Sequence, residues 1–159
     1  VFIDIYPYDG LGTTEKEAVT YGMKGDRLSS LCYQSTREHF AIETTTSLFR
    51  KIIKYPVFIG SKLIGKDYFQ KKLNQLVKLK EYEDSNYIGC VIWLSGGKKE
   101  IFLRKWFDET VMVPFEKYQF RVPKDYDEVL RHTYGDYMQL PPEKDRIGHH
   151  YFKAYRKDE

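Results

Sequence analysis

The sequence predicts a single α+β domain over residues 1–159, and three observations support that fold class. The chain has 159 residues, of which 42% are hydrophobic and 31% charged, which suffices for one core and argues against disorder. Apolar residues recur at helical spacing between residues 13 and 82. On either side of that stretch they alternate or form short apolar runs, as strands do. We therefore expect a core strand at residues 1–12, a helical segment, and a mixed region at residues 84–159.

The first predicted element is a core strand. Val1–Ile5 is apolar on both strand faces except at Asp4, as in a strand that is covered on two sides. Pro7 is expected to end the strand, and Asp9-Gly10 to form a turn. Because the sequence opens directly on a strand and without Met, we expect it to be the downstream part of a longer protein.

Three helices are predicted next. The first begins after Thr14, which forms a capping-box pattern with Glu17. The second is expected at about residues 37–54, ended by Pro56. The third is expected at about residues 66–81, with a lysine-rich side that we interpret as a solvated face.

The last stretch is predicted to combine short strands with one helix. Apolar runs indicate strands at residues 87–94 and 99–103, joined by a glycine-rich turn. Alternation over residues 111–122 predicts a hairpin with a longer loop. A helix is expected over residues 126–134, with Gly135 as its C-terminal cap.

Composition argues against several classes of protein. The net charge of +3, from 26 basic and 23 acidic residues, is too balanced to predict nucleic-acid binding. No apolar run approaches the roughly 20 residues of a transmembrane helix, and no signal-peptide pattern opens the sequence. Cys32 and Cys90 are too few for a disulfide framework and suit a reducing compartment. We therefore expect a cytoplasmic protein without a transmembrane segment.

Asp4 is the residue that most suggests chemistry. A carboxylate in a strand with two apolar faces is costly unless it is paired, hydrogen-bonded or bound to a metal. Asp4 is therefore either a metal-binding or basic carboxylate at the edge of an active site, or an Asp on the exposed face of a terminal strand. Periodicity leaves both interpretations open.

Other charged residues give weaker signals. Lys99-Glu100 follow a glycine-rich turn, where a lysine can meet a phosphate, although a hairpin turn with flanking charges fits the residues better. Arg146 and either one of His149 and His150 are suited to an anionic ligand, whereas a metal site made by His149 and His150 alone is disfavoured. The sequence has no P-loop and no Gly-x-Ser-x-Gly, so these residues alone define no reaction.

Four groups of residues lie at 1–10, at 85–87 with 99–102, at 106–109 with 113–116, and at 122–143 followed by Arg146 and His149. Together they resemble the LicD family, which is named for bacterial phosphocholine transferases. The last group is the most specific, and the helical middle contributes little. The order and spacing of these groups across nearly the whole chain make chance agreement improbable.

The resemblance implies both a fold and a reaction. The fold is a nucleotidyltransferase-like mixed sheet, here a remnant, with a helical insert and a C-terminal lobe of a hairpin and a helix. The reaction transfers phosphocholine or a related phospho-alcohol, such as phosphoribitol or phosphoethanolamine. The donor is CDP-choline or a similar CDP-alcohol, and the acceptor is a cell-surface glycan or its precursor, in lipopolysaccharide or teichoic acid.

The resemblance also implies a metal. Asp4 matches a carboxylate that binds Mg²⁺ (or Mn²⁺) and accepts the proton of the attacking hydroxyl, together with an upstream Asp-x-Asp segment that this sequence lacks. We therefore expect the chain to be the C-terminal part of such an enzyme and to be inactive alone. The alternative is a non-catalytic glycan- or nucleotide-binding remnant of the same fold.

The same resemblance implies further substrate-binding residues. Tyrosine faces attract a quaternary ammonium, which suits choline. The residues expected to line or brace the ligand cleft are Lys99, Glu100, Tyr134, Asp136, Tyr137, Arg146 and His149.

Overall fold

The computed structural model describes residues 5–40, 47–94, 97–140 and 142–143. These residues form helices and small antiparallel sheets, which confirms the α+β class; the nucleotidyltransferase-like character of the sheet stays a prediction. In chain order the elements are β1 (Asp9–Gly12), α1 (Glu15–Thr36), α2 (Leu48–Ile64), α3 (Lys66–Val77), β2 (Tyr87–Gly89), β3 (Phe102–Leu103), β4 (Thr110–Phe115), β5 (Tyr118–Pro123) and α4 (Tyr126–Tyr134). Short 3₁₀ turns occupy Gly97–Glu100 and Arg104–Phe107.

Strands β1, β2 and β3 form one antiparallel sheet in that order, and β4 and β5 form a separate hairpin. The register of β1 against β2 shifts between Gly10 and Gly12. The buried Ser85 hydroxyl holds this irregularity, because it accepts from the Gly12 backbone N–H at 3.2 Å and donates to the Glu81 carbonyl at 2.9 Å.

Helix α1 begins as its sequence predicts. The Glu17 backbone N–H donates to the Thr14 hydroxyl at 3.3 Å, and the Glu17 carboxylate accepts from the Thr13 backbone N–H at 3.0 Å. Lys80, at the far end of the helical stretch, donates to the same carboxylate. That hydrogen bond is the largest of the effects that lower the pKa of Glu17. One acidic residue therefore caps α1 and joins it to the segment after α3.

Two glycines let α1 lie directly on the segment that follows β2. A Cβ added to Gly25 would stand 2.2 Å from the Val91 carbonyl oxygen, and one added to Gly22 would stand 2.6 Å from Leu94 Cδ2. Both contacts are shorter than atoms can tolerate. The helix and the sheet meet in a core of buried side chains made of Leu11, Ala18, Tyr21, Leu76, Val91, Leu94 and Ile101.

The first strand differs from its prediction. Residues 5–8 have no regular secondary structure, and pairing begins at Asp9, which lies opposite Gly89. The predicted turn at Asp9-Gly10 is therefore wrong. Pro7 has no N–H to donate to a strand ladder and lies before β1. The predicted strand residues Val1–Asp4 lie outside the described residues.

The second helix is displaced along the chain. It covers Leu48–Ile64 with Pro56 inside it, instead of ending at the proline. A proline inside a helix loses one backbone hydrogen bond and costs about 3 kcal/mol. Burial beyond the proline offsets this cost, because Phe58 packs on Phe40 with ring centroids 5.7 Å apart.

The third helix is shorter than predicted. It ends at Val77. Next to this end, the hydroxyl of Tyr21 in α1 donates a hydrogen bond to the Leu76 carbonyl. Among the residues that the structure describes, no helix combines the length and the apolar character that crossing a membrane requires.

The region after β2 contains less strand than predicted. β2 ends at Gly89, and the 3₁₀ turn at Gly97–Glu100 includes residues 99 and 100, where the start of a strand was expected. The backbone turns twice here, since the Trp93 N–H donates to the Cys90 carbonyl at 3.1 Å and Gly97 has a φ of 62°. These turns keep the following residues out of the sheet until Phe102.

The C-terminal elements largely follow the sequence. The hairpin is confirmed, although Glu116-Lys117 joins β4 and β5 in a tighter turn than predicted. Helix α4 has the predicted bounds, and Gly135 ends it with a φ of 73° while its N–H donates to the Arg131 carbonyl at 2.8 Å. Asp125 stands at the N-cap without a capping side-chain bond.

Candidate functional site

A cleft of about 370 Å³ opens where the residue run before β1, the end of β2, the start of β3 and helix α4 meet. Cys90 and Phe102 are buried at its base, whereas Tyr134 and Trp93 are exposed at its opening. It is lined by Tyr6, Tyr8, Cys90, Trp93, Glu100, Phe102, Val129, Leu130, Thr133 and Tyr134.

The sheet fixes the aromatic wall of this cleft. Phe102 lies in β3 opposite Ile88 of β2, so its backbone is held by strand pairing. The Tyr8 ring stacks on Phe102 with centroids 5.4 Å apart, and it meets Phe107 edge-on at 5.5 Å. Stacked and edge-to-face rings stabilise each other beyond the area that they bury. The chain ahead of β1 is thereby attached to the sheet.

Helix α4 forms the opposite wall, and His132 holds it there. Nε2 of His132 lies 2.9 Å from the Lys98 carbonyl oxygen. The same ring meets Phe102 at 5.7 Å and Trp106 at 5.6 Å between centroids. Since Tyr134 follows His132 on this helix, these contacts place the Tyr134 ring beside the cleft.

Of the lining side chains that the structure describes, the only charged one is the acidic Glu100. Burial, followed by the charge of Glu100, raises the pKa of Tyr8. Burial also raises the pKa of the Cys90 thiol. Cys90 therefore stays a neutral thiol, which makes it a poor nucleophile at neutral pH.

This combination of groups suits an organic cation. Aromatic faces attract a cation that lies within about 6 Å of the ring centroid, by about 0.5–2 kcal/mol each. A carboxylate between such rings adds a charge of opposite sign. An anionic ligand would find no basic partner among the lining side chains described here.

The structure brings two of the predicted substrate-binding residues together. Glu100 and Tyr134 both line the cleft. Lys99 is exposed on the same 3₁₀ turn as Glu100 and does not line the cleft. The roles of all three residues stay predictions.

The other predicted residues lie elsewhere. The Tyr137 hydroxyl donates to Asp127 Oδ1 at 2.5 Å, which is the first cause of the lowered pKa of Asp127. Tyr137 thus braces α4 from its C-terminal side, while Asp136 is exposed beyond the helix. Three further predicted site residues, Asp4, Arg146 and His149, lie outside the described residues.

Tyr8, Trp93 and Phe102 were not among the site residues that the sequence predicts. The available signal was aromatic content, since the chain has 14 Tyr and 10 Phe and aromatics make up 16% of its residues. Composition cannot distinguish rings of the core from rings of a cleft. Only the turns after β2 bring Trp93 and Phe102 into the same cleft.

The described residues do not form a metal site by themselves. Within residues 5–40, 47–94, 97–140 and 142–143, no three His, Cys, Asp or Glu side chains stand close enough to hold an ion. The predicted Mg²⁺ site is centred on Asp4, which is not among these residues. That site stays a prediction.

Asp9 is a second unusual carboxylate of this region. It lies in β1, partly buried, and burial raises its pKa. Its charge also raises the pKa values of Tyr21 and Cys90, although burial is the larger cause for both. Partial burial without a charge partner therefore disfavours the ionised form of Asp9.

Replacing Asp9 with Asn should stabilise the fold at neutral pH. Because the folded pKa lies above the unfolded value of about 3.9, folding takes up protons near that pH. The cost of ionised Asp9 therefore grows as the pH rises from the unfolded pKa through the folded pKa. Asp9→Asn should raise the melting temperature at pH 7 and have a smaller effect below about pH 4. Thermal unfolding of both proteins at the two pH values measures this difference.

The matched control is Asp84→Asn, which removes the charge of an exposed aspartate. It should leave the melting temperature unchanged at either pH. A lower melting temperature for Asp9→Asn at pH 7 would show that the carboxylate is stabilising, contrary to this account.

One comparison with known proteins finds a relative. The chain is 32% identical to lipopolysaccharide cholinephosphotransferase LicD of Haemophilus influenzae over 157 residues. The match covers 98% of this chain and 57% of that protein, so the chain spans little more than half the length of this relative. No family model matches the chain, and no solved structure matches it significantly.

Proposed function

The chain belongs to the LicD family, and on that premise we propose that the protein transfers phosphocholine, or a related phospho-alcohol, from a CDP-activated donor to a cell-surface glycan or its precursor. The name of the Haemophilus influenzae relative describes a cholinephosphotransferase that acts on lipopolysaccharide. The present chain corresponds to 57% of that protein, so the reaction is proposed for the complete protein.

The observation that carries this proposal is the aromatic cleft with Glu100 at its side. The trimethylammonium group of choline has a positive charge but no N–H, so it cannot donate a conventional hydrogen bond. Its best protein partners are therefore the faces of aromatic rings and a carboxylate that is not already engaged in hydrogen bonds. A polyol such as ribitol has neither the charge nor the apolar surface that such a cleft would favour.

The lining residues would contact different parts of the choline headgroup. Tyr8 and Phe102 form a fixed wall, while Tyr134 and Trp93 at the opening can cover the headgroup after it enters. Glu100 would contribute the opposite charge. The phosphate has to lie outside this negative region, and Lys99, next to Glu100, is our candidate for its contact.

The catalytic group remains a separate proposal. Asp4 is the predicted Mg²⁺ (or Mn²⁺) ligand and base, with further carboxylates from elsewhere in the complete protein, and Arg146 and His149 are predicted contacts of the anionic ligand. The cleft described above concerns the alcohol end of the donor and does not depend on these assignments.

A donor panel tests the proposed function in the complete protein. We expect transfer from CDP-choline to a lipopolysaccharide acceptor, with a lower kcat/KM for CDP-ethanolamine and the lowest for CDP-ribitol. Tyr134→Ala should lower kcat/KM for CDP-choline by about 2- to 30-fold, which is the range of one cation–π contact. Loss of label from CDP-choline and its appearance on the acceptor provide the measurement.

The matched control is Tyr118→Ala, which removes an exposed tyrosine of the hairpin, outside the cleft. Its kcat/KM should equal that of the unmodified protein. Absence of transfer from every CDP-alcohol would favour the non-catalytic binding remnant. Preference for CDP-ribitol over CDP-choline would contradict the choline assignment.

A further inference from the structure

Helix α2 turns its most apolar surface away from the rest of the described structure. Only Phe58 and Ser61 of this helix are buried, and both lie on the side that packs on the body. Six large apolar side chains on the other side are more than half exposed, and Ile59, which lies among them, is 38% exposed; the six are Leu48, Phe49, Ile52, Ile53, Leu63 and Ile64.

These exposed side chains form one continuous face. At 3.6 residues per turn, Leu48, Ile52 and Leu63 fall on one stripe of the helix. Phe49, Ile53 and Ile64 fall on the adjacent stripe. The exposed apolar surface therefore runs along the whole length of α2, from its first residue to its last.

The charges of α2 are all of one sign. Its sequence contains Arg50, Lys51, Lys54 and Lys62 and no Asp or Glu. By the same helical geometry, Arg50 and Lys62 border the apolar face, whereas Lys51 and Lys54 lie on the side of the buried Phe58. Helix α3 has the exposed Lys71 and Lys72, together with the exposed Asp67.

We propose that α2 is a membrane-surface helix, which inserts its apolar face into the headgroup region of an anionic lipid bilayer. A helix with a broad apolar face flanked by lysine and arginine lies in the plane of such an interface, and its basic side chains meet lipid phosphates. The helix would lie on the membrane and would not cross it, in agreement with its 17 residues and four basic side chains.

The charges favour a lipid surface over a second copy of the chain. Two copies that joined through α2 would bring their basic residues together, and like charges across an interface are unfavourable. An anionic bilayer instead supplies negative charge along the full length of the helix. In the proposed function the glycan acceptor is carried by a lipid, so a membrane-bound enzyme would meet it there. Only this last point rests on the proposed function.

Vesicle co-sedimentation of the complete protein tests this inference without any donor or acceptor. We expect binding to vesicles of equal parts phosphatidylglycerol and phosphatidylcholine, and weak binding to phosphatidylcholine alone. Raising the salt from about 0.1 M to 1 M should weaken the binding, since it shortens the electrostatic range from about 10 Å to 3 Å. Failure of the transferase assay would leave these expectations intact, so the two proposals fail separately.

The test variant is Ile52→Glu with Ile53→Glu, at side chains that are 65% and 53% exposed. Its matched control is Phe115→Glu with Phe120→Glu on the hairpin, at side chains that are 64% and 50% exposed. The α2 variant should lose vesicle binding by at least tenfold, and the hairpin variant should keep it. Circular dichroism of both variants verifies that they fold.

A second variant, Arg50→Gln with Lys62→Gln, keeps the apolar face and removes the two charges that border it. It should bind anionic vesicles about fivefold more weakly for each residue that is neutralised. Equal binding by the α2 and hairpin variants would overturn the inference. Failure of the unmodified protein to bind anionic vesicles would also overturn it. A change of oligomeric state or unfolding in the α2 variant would overturn it as well, because the apolar face would then be covered by protein.

Discussion

Replacing Glu100 with Gln in the complete protein should lower kcat/KM for CDP-choline by about tenfold or more, which corresponds to about 1.4 kcal/mol. Gln keeps the shape of Glu and removes its charge. Of the lining side chains that the structure describes, Glu100 carries the only charge, so its loss leaves the trimethylammonium group with the rings alone. The effect should appear mainly in KM, because the headgroup is bound equally before and during the transfer.

The comparison that isolates the charge uses a neutral donor and a second glutamate. Transfer from CDP-ribitol should not weaken in Glu100→Gln. Glu128→Gln changes an exposed glutamate of α4 that does not line the cleft, and it should leave both donors unaffected. A Glu100→Gln protein with unchanged KM for CDP-choline would contradict the role that we give to this carboxylate.

Replacing Gly25 with Ala should destabilise the fold by about 1–3 kcal/mol or more. The added Cβ would stand 2.2 Å from the Val91 carbonyl oxygen, which is backbone and cannot rotate away. Val91 lies between the cleft residue Cys90 and the exposed Ile92. A displaced Val91 would therefore also disturb the base of the cleft. Urea unfolding at 25 °C, extrapolated to water, measures the loss.

Two other glycines give graded controls. In Gly22→Ala the added Cβ would stand 2.6 Å from a methyl group of the flexible Leu94 side chain. This variant should lose less free energy of unfolding than Gly25→Ala. Gly60→Ala meets no atom within 4 Å inside α2 and should stabilise the protein by about 0.5–1 kcal/mol, as alanine does in an open helix. A Gly25→Ala protein as stable as Gly60→Ala would contradict the close approach of α1 and the Val91 segment.

Local signals in the sequence predicted local structure well. The Thr14 cap of α1, the hairpin of β4 and β5, and the end of α4 at Gly135 all occur where their residues indicate. Each depends on contacts between residues close in the chain. Sequence patterns describe such contacts directly.

Predictions that depend on distant contacts were less accurate. Pro56 was expected to end a helix, but the packing of Phe58 on Phe40 keeps the helix beyond it. Gly22 and Gly25 weaken the helical pattern of α1, yet the structure needs them where the helix touches Val91 and Leu94. Neither effect is visible without knowing which segments meet.

In the candidate site, too, residues in local motifs were predicted and residues brought together by distant contacts were not. Family resemblance selected Glu100 and Tyr134, which line the cleft, because their motifs are local. It did not select Tyr8 and Phe102, which stack only after β1 and β3 have joined the same sheet. The aromatic excess of the sequence indicated such surfaces without saying where they lie.

The most direct test of the choline assignment is a crystal structure of the complete protein with CDP-choline. We expect the trimethylammonium group in the cleft, within about 6 Å of the ring centroids of Tyr8, Trp93 or Tyr134. Its charge should face Glu100, with the phosphates outside the cleft on the side of Lys99. A trimethylammonium group bound elsewhere, with the cleft empty, would contradict the account.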